Sequence, residues 1–436
     1  EVGQTALSQL EALTNELTGR DLSTQLSSFF DAFSEVANDP TSSVVREAAV
    51  QQGGALSSVV NGLREDVLRT RDHLDAQLRG SVERANGLLD EIGDLNRAVV
   101  LAELGGSNGQ DGALRDQRGT LINELSSLVD ITTQERESGA VDIFVDSQPI
   151  VLGADSRGLE LRTRSTEDEL IVEVITTSSQ EVVNVQSGRV GSLLEQRDSE
   201  VDRTLGDIDE LASSIIHEVN RLHTSGQPAS RITELTGTRR VAPPDQSLAF
   251  NDPENGTFAD LPFSVENGSF EVVVRDGNGN TTRTVVDVDL DGINASGAQG
   301  FGDDTSTDDI VASLDAIDNV NASLTSTGQV RLTTDTGFDV SFGNDTSGAL
   351  SVLGINTFFT GTDGSDMGVR EALQSDSGLL SVGTSEGGNE TALAIAGLRE
   401  RGVDSLGGKS LIDRWLNSVE ETAVRFNATN TRAQAL

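Results

Sequence analysis

The chain has 436 residues, enough for two to four domains, and carries 71 acidic against 31 basic residues for a net charge of -40. It has no cysteine, which excludes a disulfide framework and a thiolate metal site. So acidic a surface repels nucleic acid and anionic membranes, and no apolar run approaches the length that spans a bilayer. Hydrophobic residues make up 35% and aromatics 3%, with one Trp and no Tyr, so the cores must be built from Leu, Ile, Val and Ala. Lys409 is the one lysine in the sequence. Acidity with scarce lysine suits a high-salt environment, where screening relieves self-repulsion. A halophilic or marine source is expected, and a melting temperature unchanged between low and molar salt would contradict it.

Leu7, Leu10, Leu13 and Leu17 mark a short first helix ended by Gly19. Asp21 is placed to cap a second, whose face carries Leu22, Leu26, Phe29, Phe30, Phe33 and Val36 and which stops at Asn38-Asp39-Pro40. The stretch 44–104 then organises the chain. Leu56, Val60, Leu63, Val67, Leu74, Leu78, Val82, Ala85, Leu88, Ile92, Leu95 and Val99 draw a single stripe in steps of three and four, with one seven-residue gap. Sixty residues of helix would span roughly 90 Å and need partner helices along most of that length. Gly80, Gly87 and Gly93 are expected to allow close contacts or a break.

Gly105 to Gly109 interrupts the helix, and 111–130 reads as another, with Leu114, Arg118, Leu121, Ile122, Leu125 and Leu128 on one side. From Ile131 the period changes to two. A hairpin is expected over 141–152, with further strands at 169–175 and 181–185. Helix returns at Gly188, and Val190, Leu194, Arg197, Val201, Leu205, Ile208, Leu211, Ile215, Val219 and Leu222 keep an unbroken rhythm like a coiled-coil seam. This stretch and 410–434 are the expected partners of the long helix.

Residues 224–253, with their Gly and Pro, read as a linker. Beyond them come a hairpin turning at 276–280, a helix over 307–317 and short strands over 322–342. Helices return over 391–399 and 410–434, the latter with Ile412, Trp415, Leu416, Val419, Ala423 and Phe426 inward. The fold class read from this order is α+β and multidomain: a discontinuous elongated helical bundle (1–130, 186–224 and 369–436), a small β-hairpin insert (131–185) and a separate β-rich domain (225–368). The helical pattern is under way near Glu1 and runs on to Leu436, so the sequence is expected to be the middle of a longer protein.

Little in the chain suggests chemistry. His73, His217 and His223 sit in helical stretches, and the six-residue spacing of the last two puts them on different helix faces, so all three are read as helix-surface residues and not metal ligands. Asp287-Val-Asp289-Leu-Asp291-Gly292 resembles the start of a calcium loop, but Ala298 stands where the bidentate Glu belongs; the plainer reading is a strand with Val286, Val288 and Leu290 inward. Gly407-Gly-Lys-Ser410 lacks the spacing of a phosphate loop and reads as a helix start capped by Ser410. No nucleophile elbow is present, and no catalytic, cofactor or metal residue is assigned.

Several stretches resemble one family. Gln25-Leu-Ser-Ser-Phe-Phe-Asp-Ala-Phe-Ser-Glu-Val-Ala-Asn-Asp-Pro40, Leu114-Arg-Asp-Gln-Arg118 with Glu124-Leu-Ser-Ser-Leu-Val-Asp130, and Ser138-Gly-Ala-Val-Asp-Ile-Phe-Val-Asp-Ser-Gln-Pro-Ile-Val-Leu-Gly153 are similar to segments of the bacterial flagellar hook-associated protein 1 family. Asn344-Asp-Thr-Ser-Gly348 and Leu353-Gly-Ile-Asn-Thr-Phe-Phe-Thr-Gly361 resemble that family's exit from its β domain. The resemblance implies a non-enzymatic structural subunit joining flagellar hook to filament, exported unfolded through the flagellar type III apparatus without a cleaved signal. Its implied partners are copies of itself in a ring, hook protein on one side, and the next hook-associated protein or filament on the other. An export chaperone would act through terminal segments absent from this sequence, and those segments also drive polymerisation in the family. Two other readings stand beside it: another axial protein such as a flagellin, disfavoured by residues 353–361, and a secreted calcium-dependent adhesin. An enzyme housed in the β domain has no candidate residues.

Overall fold

The computed structural model describes residue 8 and residues 21–104, 110–165, 170–259, 261–294, 296–385 and 387–435. The first expected helix and the Gly105–Gly109 interruption lie outside these residues. The chain forms two compact units, one from Glu65–Leu205 with both terminal segments, the other from Asn15–Arg64 and Gly206–Val419.

Helix α1 (Leu22–Asn38) begins where Asp21 accepts the Thr24 N–H at 2.8 Å, and it buries Leu26, Phe29, Phe30 and Phe33. The turn at Pro40 is clipped by Arg46, which donates to the Pro40 carbonyl at 2.7 Å. Helix α2 (Ser43–Leu104) then runs for 62 residues without a break. Its predicted stripe is buried except at Leu63 and Leu95, which are half-buried. The gap between Val67 and Leu74 is filled by buried Thr70, whose hydroxyl returns to the Asp66 carbonyl at 3.1 Å. Gly80 and Gly87 face open space, whereas at Gly93 a Cβ would lie 2.8 Å from the Ala154 carbonyl oxygen. Of the three glycines, close approach applies only there.

In the first unit, α3 (Gln110–Leu128) is followed by the antiparallel sheet β1 (Thr132–Glu135), β2 (Val141–Val145), β3 (Gln148–Leu152) and β4 (Asp155–Ser156), in that order. The hairpin of β5 (Leu159–Ser165) and β6 (Leu170–Thr176) follows, and the expected strand at 181–185 reduces to a bridge from Val182 to Ile175. Two asparagines of α2 hold these β segments. Buried Asn96 donates to the carbonyls of Val141 (2.7 Å) and Gly153 (2.6 Å) and accepts from the Val141 N–H (3.0 Å) and the Arg118 guanidinium (2.8 Å). Asn86 exchanges both its amide bonds with the Leu159 backbone. Arg118 of α3, read on the same side as the apolar residues, is itself buried and also donates to the Gly139 carbonyl.

Helix α4 (Gly188–Glu195) passes into a π-helical turn, Gln196–Val201, before α5 (Asp202–Thr224). The expected unbroken seam is thus interrupted. Arg197 is 3% exposed and lies 2.7 Å from Asp75 of α2, and the wider turn accommodates this buried cation within the helix. Further along α5, Leu211, Ala212, Ser213, Ser214, Ile215 and Ile216 are all buried. Over these six residues the helix is covered on every side, which a single apolar seam does not provide.

The second unit corrects the linker. Residues 224–253 contribute β7 (Gln227–Pro228) and β8 (Glu234–Thr236), and bury Ile232, Leu235, Val241, Ala249 and Phe250. Apolar residues scattered between Gly and Pro carry this segment into the core. Strand β9 (Gly268–Arg275) is central in a three-stranded sheet, between β10 (Thr281–Val288) and a later strand. Helix α6 (Thr307–Asp315) starts at a capping box of Ser306 and Asp309. Strands β11 (Val320–Leu324), β12 (Val330–Thr334) and β8 form a second sheet, and β13 (Asp339–Gly343) completes the first. One continuous core joins Phe270, Val272, Ile310, Leu332, Phe342 and Leu353. Short strands β14 (Phe359–Thr360) and β15 (Gly368–Val369) pair, β16 (Ser381–Gly383) pairs with β7, and helices α7 (Glu390–Gly397) and α8 (Leu411–Ala435) close the chain. On α8 Leu416 is exposed, against expectation, while Ser418 and Thr422 are buried with Leu411 and Trp415. Ser418 bonds Asp207 of α5 and Arg414 pairs with the same carboxylate at 2.6 Å, so this face is polar because α5 presents an acid to it.

Candidate functional site

The feature that ties distant sequence together in the second unit is a clamp on residues 356–359. Asn220 of α5 accepts the backbone N–H of Phe358 (3.0 Å) and of Phe359 (2.8 Å) and donates to the Phe359 carbonyl (3.0 Å). One turn on, fully buried His223 accepts the Ser381 N–H through Nε2 at 3.0 Å, which leaves Nδ1 to carry the proton and donate to the Asn356 carbonyl at 2.8 Å. Burial pushes this imidazole down to about 4, against the opposing pull of the Asn356 bond. His223 is therefore neutral and structural, and the expectation of a helix-surface position is corrected: it lies among backbone groups that need one donor and one acceptor, which only the neutral ring supplies.

Onto the clamped segment pack the aromatics of α1. Phe358 lies edge-on to Phe29 (5.7 Å between ring centroids), Phe33 (5.5 Å) and His223 (5.7 Å), and Phe359 lies 5.5 Å from Phe29. Gly53 of α2 makes room: a Cβ there would sit 2.5 Å from the Phe358 ring. Nearby, Asp209 of α5 takes Arg64 at 2.9 Å and the Gly364 N–H at 3.1 Å, and burial still raises its pKa more than these partners lower it. The arrangement positions backbone and side chain. It holds no nucleophile–base pair.

The other histidines differ. His73 is exposed on α2, and His217 is partly buried, stacked at 4.7 Å on Phe263 beside a groove of about 600 Å³ that also takes in Arg221, Glu266 and Arg401. The calcium-like stretch does not come together as a loop. Val286 and Val288 are buried in β10, Leu290 is half-buried beyond the strand, and Asp287 stands apart, while Asp289 and Asp291 meet Asp304, a residue that sequence spacing did not single out. Asp304 is already engaged, accepting from Asn251 at 2.7 Å and from the Gly292 N–H at 3.2 Å. Ser410 accepts the Asp413 N–H at 3.1 Å and caps α8, as read from the sequence.

Residues 7–234 match the family model described as the flagellar hook-associated protein FlgK helical domain. The chain belongs to this family. Among curated relatives, flagellar hook-associated protein 1 of Bacillus subtilis (strain 168) is 33% identical over 136 residues, covering 31% of this chain and 26% of the relative. Flagellar hook-associated protein 1 of Salmonella typhimurium is 22% identical over 236 residues, or 52% of this chain and 42% of the relative. The alignments thus span less than half of either curated relative. The flagellar hook junction protein FlgK from Burkholderia pseudomallei shares the fold, with a TM-score of 0.55 at 15% identity over 100% of this chain and 95% of that one. The clamp joins two of the stretches that carried the family resemblance, the Phe29–Phe33 face and residues 353–361, more than 300 residues apart in sequence.

Proposed function

We propose that the protein is a structural subunit of the bacterial flagellum that joins hook to filament, without enzymatic activity. Copies would assemble in a ring against hook protein on one side and the next hook-associated protein or filament on the other. Export would proceed through the flagellar type III apparatus to the cell exterior. Among the described residues no helix is long and apolar enough to cross a membrane.

The observation that carries the reading is the clamp between α1, α5 and residues 356–359, in a chain of the FlgK family. An adaptor must resist shear, and the interactions here suit that task. Buried backbone is bonded to Asn220 and His223 and wedged between aromatic rings, so its displacement would break several bonds at once. Ion pairs between helices add to this within each unit: Arg64–Asp209 and Arg414–Asp207 in one, Arg197–Asp75 and Arg425–Glu200 in the other. A strain deleted for the full-length protein should keep its hooks and shed its filaments, and re-expression should restore attachment. Filaments that stay attached without the protein would refute the junction role.

A further inference from the structure

Between β7 and β15 the chain has six arginines, and four of them pair with carboxylates: Arg231 and Arg275 with Asp339, Arg283 with Glu271, and Arg331 with Glu234. Among the described residues Arg239 and Arg240 do not. In a chain with 71 acidic residues, two adjacent cations without a carboxylate partner call for explanation. Arg239 is half-buried, and burial lowers its pKa. Its Nε donates to the Val352 carbonyl at 3.3 Å, and no acceptor for its terminal nitrogens is found among the described residues. A guanidinium carries five donors, so most of this one's capacity is unused in a partly desolvated place.

The backbone fixes the pair there. Gly237 N donates to the Val330 carbonyl (2.8 Å), Thr238 N to Gly354 (3.2 Å) and Val241 N to Gly328 (3.0 Å), so residues 237–241 are laced between two other segments. At Gly328, with φ of 78°, a Cβ would stand 2.0 Å from the Val241 carbonyl oxygen, so this approach requires glycine. The result is a pocket of about 370 Å³ lined by Arg239, Arg240, Pro243, Thr257, Ser326 and Thr327 among others, and none of its lining residues is acidic. The charge of Asp366 partly offsets the effect of burial on Arg239, and no ion pair joins the two among the described residues.

We propose that this pocket binds carboxylates, with Arg239 and Arg240 as the anchoring cations and an acidic peptide segment as the natural bearer. A planar carboxylate fits the guanidinium fork with two parallel bonds, and the bonds are strengthened by partial burial. The site stands on the unpaired arginines and does not depend on the junction role.

The test uses the intact chain and a dye-labelled, end-blocked peptide, Asp-Val-Asp-Leu-Asp-Gly, copied from residues 287–292 and followed by fluorescence anisotropy. Binding should be saturable, and should weaken roughly ten-fold or more in R239Q/R240Q, the scale of a lost charge-assisted contact. The variant R401Q/K409Q removes the same charge at exposed positions outside the pocket and should bind like the parent. R240Q alone changes an exposed residue and reports on the site if the double variant folds poorly. Free citrate is the second probe: competition at matched carboxylate concentration assigns the site to carboxylates generally, and its failure assigns it to the peptide frame. No binding by the parent, equal binding of a control peptide with Asn in place of each Asp, or equal loss in R401Q/K409Q would overturn the proposal.

Discussion

At the scale of single residues, two glycines of α2 with the same helical conformation make opposite demands. Gly53 abuts the Phe358 ring, so Gly53→Ala must overpack the clamp and should destabilise by about 1–3 kcal/mol. Gly80 faces open space on the same helix, so Gly80→Ala should stabilise by about 0.5–1 kcal/mol through backbone entropy and helix propensity. Urea denaturation of both variants checks the pair, and loss of stability in both would contradict the geometry. His223 gives a pH signature. Its folded pKa of about 4 lies below the unfolded value near 6.5, so the folded state binds fewer protons between these limits. The associated stability is complete above pH 6.5 and is lost as pH falls toward 4, by about 3 kcal/mol in total. His223→Gln should lack this component, so the difference between parent and variant stability should shrink from pH 7.5 to pH 5. A constant difference would mean that folding does not lower the pKa of this ring. Neither role was legible beforehand, because helical spacing gives the face of His223 but not that the C-terminal turn of α5 is buried around it, and nothing local to Gly53 announces a ring 305 positions away.

At the scale of elements, periodicity served best where one face of a helix meets solvent. The stripe of α2, the Asp21 cap, the hairpin turn at 276–280 and the capping by Ser410 were readable because each depends on neighbours in sequence. Reading failed where long-range partners decide. Residues 224–253 looked like a linker because their apolar residues are too sparse for a period, yet β8 pairs with β12, and Val241 N bonds to the Gly328 carbonyl. The seam at 190–222 looked regular because Arg197 fell on a helical step; Asp75, its partner, is 122 positions away. This buried cation is held by Asp75 and Asp198 inside a π turn, so Arg197→Ala removes the buried partner from both pairs and should cost about 3 kcal/mol. The same substitution at exposed Arg69, whose pairs with Glu65 and Asp66 are local to its helix, should cost less than about 1 kcal/mol. Thermal unfolding of the two variants makes the comparison, and equal costs would show that the π turn does not depend on its arginine.

At the scale of the whole molecule, the sequence resemblance and the family match agree, and the clamp gives that agreement a physical form. Two stretches that resembled the family for separate reasons are neighbours in the fold, Phe29 and Phe33 against Phe358. What the resemblance left open was how they meet, since aromatic rings and a Gly-rich motif do not declare their partners. The junction role is tested most directly by position. These 436 residues contain no cysteine, so Asn278→Cys in the exposed turn between β9 and β10 gives them a single attachment point for a gold particle. Labelled hook–filament structures should carry gold in a narrow band where hook meets filament. Gold spread along the filament, or absent from that band, would contradict the account.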